Sequence, residues 1–262
     1  TTLIMAAVLK RKEEYINIIT DPAGEGNIPY VYIDSTCNMT VGVGINIAGK
    51  TFNDFRVKLF SDGNNFNMNS RNANLSDSER NKLSQNLETV FTSIITKIKD
   101  DTNKSAPCNY KSTAYSPSKI NVVFKDKVEQ ELYNFSLSEK GKQMVKQEFI
   151  NRLNSAIDSA AYIYDNFPGN ASQAKFPKWN DLPYHIQWYI VDRVYNFGAG
   201  GFDKRATNLI PALKQGDWDI LQTKFPKTKN VTREQNLSKW LSLAKIEEPT
   251  TPKQIVPQHI AP

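Results

Sequence analysis

EGNIPYVYIDSTCNMTVGVGI, residues 25–45, is the stretch on which the reading of the fold turns. Tyr30, Val31, Tyr32 and Ile33 form a β-prone run, and Ser35-Thr36-Cys37-Asn38 follows as a short polar turn. Thr40-Val41-Gly42-Val43-Gly44 then alternates with the period of two that a strand requires. The stretch predicts a β-hairpin with Asp34 near its turn and Thr40 entering the return strand. Asp21-Pro22-Ala23-Gly24 stands just before Glu25. Pro and Gly break helices, which places Glu25 on a helix end or turn leading into the hairpin.

Two carboxylates and a hydroxyl in this arrangement suit the cleavage of a glycosidic bond. That reaction needs an acid to protonate the leaving oxygen and a carboxylate on the opposite side of the sugar. The acid must sit in an apolar setting and the carboxylate in a wetter, hydrogen-bonded one, so that the two titrate apart. A hydroxyl such as that of Thr40 can hold the attacking water. Spacing alone does not separate this from two surface acids among the 27 in the chain.

The combined pattern is more specific. Glu25-Gly26, then Tyr32-x-Asp34, then Thr40-x-Gly42-x-Gly44 has eight residues between Glu and Asp and five between Asp and Thr. It resembles the phage-type lysozymes, glycoside hydrolase family 24, which include the endolysins of T-even bacteriophages and pesticin-like muramidases. The resemblance implies that Glu25 is the general acid, Asp34 the carboxylate that activates water, and Thr40 the residue that positions it. Where the family usually has His after Thr-x-Gly-x-Gly this chain has Ile45, and Cys37 replaces its turn glycine. Further along, Tyr195-Asn196-Phe197-Gly198 is similar to the family's Phe-Asn-x-Gly segment, and Thr232-Arg233-Glu234-Gln235-Asn236 stands where the family has an Arg-rich helix start. By the same resemblance Tyr32, Asn196 and Arg233 are the expected substrate contacts. From the residues alone, Asn196 reads equally as a helix C-cap and Arg233 as a solvated charge at a helix start. Asn236 occupies the region where the family has a second Arg.

Composition bounds the rest. The 262 residues are 39% hydrophobic and 11% aromatic, enough for a real core and unlike a disordered chain. Net charge is +6, dispersed along the sequence, which favours an anionic partner such as a bacterial wall, nucleic acid or a membrane, and charge alone does not choose among them. No nucleic-acid recognition motif and no apolar run of membrane-spanning length occurs in the sequence. Cys37 and Cys108 are read either as one pair tying the hairpin to the central region or as two independent thiols. His185 and His259 suggest no metal site, and His185 is expected to pack within its helix. The N-terminal LIMAAVL is too short and wrongly flanked for a signal peptide.

Residues 2–19 read as one or two helices. The Asn-rich stretch 51–70 reads as loop or irregular surface. Ser76-x-x-Glu79 is a capping box opening a helix whose stripe runs from Leu83 through Ile98. A loop covers 100–118, and 120–135 suits strand or helix equally. Ser136-x-x-Glu139 is a second capping box, opening a long helix to Asn166. A buried helix opens at Asp181-Leu182-Pro183 and runs through Tyr195, apolar nearly all round. Helices over 202–215, 217–225 and 232–245 follow, and a Pro-containing tail from 249 is expected to be extended.

The expected architecture is α+β and mainly α-helical, a lysozyme-like two-lobed fold with a small β-hairpin lobe and a helical insertion. Its parts are 1–50 with the catalytic hairpin, an inserted helical subdomain at 51–135, the helical lobe at 136–248 and the tail at 249–262. The resemblance implies a muramidase acting on peptidoglycan glycan strands in the periplasm, as a monomer, with no metal or organic cofactor and no membrane span. An antibacterial effector, a bacteriocin or an endolysin would use such a site, delivered by a secretion machine, a holin or lysis. A cognate immunity or inhibitor protein is the partner a toxin implies. The competing readings are an inactive glycan-binding or partner-binding module on the same fold, and a lytic transglycosylase.

Overall fold

The computed structural model describes residues 12–17, 28–33, 39–47, 53–68, 71–87, 89, 96, 136–169, 173–228 and 231–246. Side-chain burial is described for most of these, but not for 28–33, 39 or 71–72. Among the described residues the fold is mainly helical with a small antiparallel sheet. The chain divides into two compact units, 1–154 and 155–262.

In the first unit, a short helix (α1, 12–17) buries Tyr15 and Ile16. The sheet has strands β1 (Ile28–Ile33), β2 (Met39–Gly42) and β3 (Ile45–Asn46) in that order, each antiparallel to the next. Ile33 pairs with Met39, Tyr32 with Thr40, and Ile28 with Gly42, with an irregularity between Ile28 and Tyr32. Val41 pairs with Ile45 and Thr40 with Asn46. The alternation expected from Thr40 to Gly44 therefore does not continue as one strand, because the chain reverses at Val43-Gly44. Gly42 and Gly44 have φ of 62° and 73°, a region that costs a β-branched residue dearly and glycine little. Burial does not alternate strictly across the reversal: Thr40 to Val43, Ile45 and Ile47 are buried, Asn46 is half-buried and Gly44 is exposed.

The stretch 51–70, expected to be irregular, contains a helix instead. Helix α2 (Asn53–Ser61) buries Phe55, Leu59 and Phe60, and a single 3-10 turn follows at Gly63–Asn65. The asparagines fall in the turns while the Phe and Leu between them lie at helical spacing. Arg56 on α2 donates from one terminal nitrogen to the Ile47 carbonyl (2.8 Å) and from the other to Asn53 Oδ1 (2.9 Å), tying the end of the sheet to the helix. Helix α3 (Asp77–Gln85) opens with the expected capping box: Glu79 N–H donates to Ser76 Oγ, and Ser76 N–H to Glu79 Oε1. It closes at Gln85, where Asn86 N–H bonds the Lys82 carbonyl, and beyond this turn the described residues of the expected stripe, 87, 89 and 96, are again helical. Leu83 and Leu87 are buried. The remainder of that stripe except for residues 89 and 96, the loop at 100–118, the segment 120–135, the tail from 249 and both cysteines lie outside the described residues.

Helix α4 (Glu139–Asp165) is the longest described element. Its cap is not the expected Ser136. Ser138 Oγ accepts the Gly141 N–H (3.2 Å), while Ser136 is held by Asn67, whose N–H bonds its carbonyl and whose Nδ2 bonds its hydroxyl (2.7 Å). Around this point a seam forms. Phe66 bridges Leu137, Ser138 N–H donates to the Asn65 carbonyl, and Lys140 meets Asp62 at 2.6 Å. Pairing across the seam thus displaced the local capping choice.

In the second unit, Tyr164 Oη donates to the Phe176 carbonyl (2.7 Å), and Phe176 packs on Trp218. A 3-10 turn at Trp179–Asp181 leads to Pro183, which caps α5 (Tyr184–Phe197). The buried helix therefore starts at Tyr184, not at Asp181. Every residue from His185 to Val194 except Gln187 is buried. Gly198, at φ 77°, ends α5 and starts α6 (Ala199–Lys214). Helix α7 (Ile220–Lys224) is shorter than the 217–225 expected, and α8 (Val231–Ile246) is close to its expected span. Phe225 stacks on Phe197 and Phe202 at centroid distances of 6.3 Å.

Candidate functional site

Glu25 and Asp34 lie outside the described residues, which include the two strands that flank Asp34. β1 ends at Ile33 and β2 begins at Met39, with Asp34 to Asn38 connecting them. Tyr32 and Thr40 are directly opposite each other in the ladder, beside this connection. Thr40 is 1% exposed, its hydroxyl withdrawn from bulk water. Ile45, in place of the family's His, is fully buried opposite Val41 and contributes packing.

The other two expected substrate contacts belong to one polar cluster in the second unit. Asn196, in the last turn of α5, donates from Nδ2 to the Asp192 carbonyl (2.8 Å) and to Asp192 Oδ2 (3.2 Å). Arg233, in the first turn of α8, donates from Nε to Asp192 Oδ1 (3.2 Å). Asn196 therefore bonds back to its own helix, while Gly198 makes the C-cap. Arg233 is not a solvated charge, since its side chain is 12% exposed against a carboxylate that is 1% exposed.

A second ion pair lies beside the first. Arg193 reaches Glu234 Oε1 at 2.9 Å and the Pro226 carbonyl at 3.2 Å, and lies over the rings of Tyr189 and Phe197. Consecutive residues of α5, Asp192 and Arg193, thus pair with consecutive residues of α8, Arg233 and Glu234. Glu234 Oε1 also accepts the Thr228 N–H (2.7 Å) and hydroxyl (2.8 Å). Burial pushes the Glu234 carboxyl up, but the bonds from Arg193 and Thr228 and the Arg193 charge outweigh it and hold the group below its ordinary value. Burial pushes the Tyr189 hydroxyl up to about 12, the Arg193 charge opposing it. Truncating one partner of such a buried pair costs about 3–5 kcal/mol, because the other charge is left uncompensated.

Asp192, Arg193 and Glu234 were not singled out in the sequence, although a signal was present. Two adjacent charges inside YHIQWYIVDRVYNF, a run otherwise apolar on most sides, require partners when the helix is buried. His185 packs as expected, its ring 3.8 Å from that of Tyr184. Among the described residues no three His, Cys, Asp or Glu side chains gather as metal ligands. No described helix is long and apolar enough to cross a membrane. Comparison with protein-family models, curated proteins and solved structures finds no match to the chain.

Proposed function

We propose that the protein is a peptidoglycan hydrolase that cleaves the β-1,4 bond between N-acetylmuramic acid and N-acetylglucosamine. The observation that carries this reading is the Glu25-x8-Asp34-x5-Thr40 pattern, set on a hairpin whose register puts Thr40 opposite Tyr32, two residues before Asp34. Glu25 protonates the leaving oxygen, and Asp34 stays ionised and draws a proton from water held with Thr40. In the inverting geometry the two carboxyls stand about 6.5–9.5 Å apart, leaving room for that water. The reaction needs no metal or organic cofactor. Net charge of +6 favours the anionic wall as substrate. The setting that fits is an antibacterial effector, bacteriocin or endolysin acting in the periplasm, with an immunity protein as the counterpart of a toxin.

The test is digestion of purified peptidoglycan with mass spectrometry of the products. Wild type should release muropeptides with reducing ends, and Glu25→Gln should lose that release by at least about 10³-fold with an unchanged fold. Anhydro-muramic ends would make the chemistry transglycosylation. Retention on the wall with no new ends from wild type would leave a glycan-binding module and remove Glu25 from its role.

A further inference from the structure

We propose that Asp192 is a positioning residue for wall binding, holding Asn196 and Arg233 in one fixed arrangement through its two carboxylate oxygens. The proposal rests on the muramidase reading for what is bound, and its own content is how the binding groups are aimed. Asp192 is fully buried on α5, and no bulk water reaches its carboxylate. Oδ1 accepts from Arg233 Nε at 3.2 Å and Oδ2 from Asn196 Nδ2 at 3.2 Å, so one rigid group sets two side chains on two helices. Arg233 is a long side chain whose rotamer freedom would otherwise be lost on binding. Locking it beforehand lowers the cost of engaging an anionic group, here the carboxylates of the wall's stem peptides.

The neighbouring ion pair supplies an internal control. Arg193–Glu234 joins the same two helices, and its Arg side chain is equally buried, at 1% exposed. No hydrogen bond connects Glu234 to Asn196 or to Arg233: Glu234 accepts from Arg193 and Thr228. The two pairs therefore share the work of fastening α5 to α8, and among the described residues Asp192 is the one that bonds both binding groups. A purely structural role for Asp192 makes any KM shift follow the loss of stability in either variant. A positioning role raises KM in Asp192→Asn beyond what its loss of stability accounts for.

The experiment compares wild type, Asp192→Asn, Glu234→Gln, Arg233→Met and the double variant Asp192→Asn/Arg233→Met. It reads KM and kcat on solubilised peptidoglycan strands, and co-sedimentation with insoluble wall. Asp192→Asn should raise KM about tenfold with kcat within about twofold, and Glu234→Gln should leave KM within about twofold. Because Asp192 acts through Arg233 as well as Asn196, adding Asp192→Asn to Arg233→Met should raise KM by less than Asp192→Asn does alone, and the remainder is the part that runs through Asn196. The double variant also removes both charges of the pair, which buried sites tolerate better than one, so its comparison with Arg233→Met still reads the part that runs through Asn196 where Asp192→Asn alone folds poorly. Equal KM shifts in Asp192→Asn and Glu234→Gln, or no shift in either, overturn the proposal and leave the muramidase reading intact. If wild type releases no muropeptides, that reading fails by itself. Co-sedimentation then decides the positioning role, weaker retention of Asp192→Asn than of Glu234→Gln upholding it and equal retention overturning it.

Discussion

Glu234 gathers an arginine, a backbone N–H and a hydroxyl on a single oxygen, and the titration of the fold follows from that. Its folded value lies below the ordinary 4.5, so the stability it contributes is present above that value and is lost as pH falls through the folded one. The thermal midpoint should drop as pH is lowered from about 4.5, and the drop should be shallower in Glu234→Gln. Tyr189 acts at the other end. Its hydroxyl titrates at about 12 in the fold against an ordinary 10, so stability is full below pH 10 and declines as pH rises towards 12. That loss is on the order of 3 kcal/mol, and Tyr189→Phe should remove it from the alkaline limb of a stability–pH curve. Neither residue stands out in the chain. Arg193 and Glu234 are 41 positions apart, and only the folded helices bring them together.

At the scale of elements, the seam between 62–67 and 136–141 shows how a distant segment overrides a local signal. Ser136-x-x-Glu139 has the form of a capping box, yet Ser136 bonds Asn67, 69 residues away, and Ser138 caps the helix. Gly141 sits in the first turn of α4 because the Asn65 carbonyl passes over it. A Cβ at 141 would lie 2.1 Å from that oxygen and 2.9 Å from Leu137 Cδ2. Helix propensity favours Gly141→Ala by at most about 1 kcal/mol. The backbone shift needed to relieve the clash costs about 1–3 kcal/mol, so the substitution should destabilise. Chemical denaturation checks the sign, and a rise in midpoint would mean that the seam yields freely. Ser76, by contrast, caps α3 as its sequence indicates.

Across the whole molecule, the excess of 33 basic over 27 acidic residues should govern association with the wall. Ionic screening shortens from about 10 Å at 0.1 M salt to about 3 Å at 1 M. Co-sedimentation with peptidoglycan should therefore weaken several-fold between these concentrations, and salt-independent retention would exclude charge as the attraction. The mainly helical class with a small sheet was legible from periodicity, and so were α5, α8 and the β1–β2 hairpin. Apolar spacing, capping residues and glycine turns act within a few residues of chain, and the sequence displays them directly. The reversal at Val43-Gly44, the helix at 53–61 and the true cap of α4 came only from the fold, as did the paired charges around Asp192. The apolar spacing of Phe55, Leu59 and Phe60 and the adjacent charges at 192 and 193 are visible in the chain, but the remote segments that cover or bond to them are not, because burial and ion pairing across tens of residues are set by the fold.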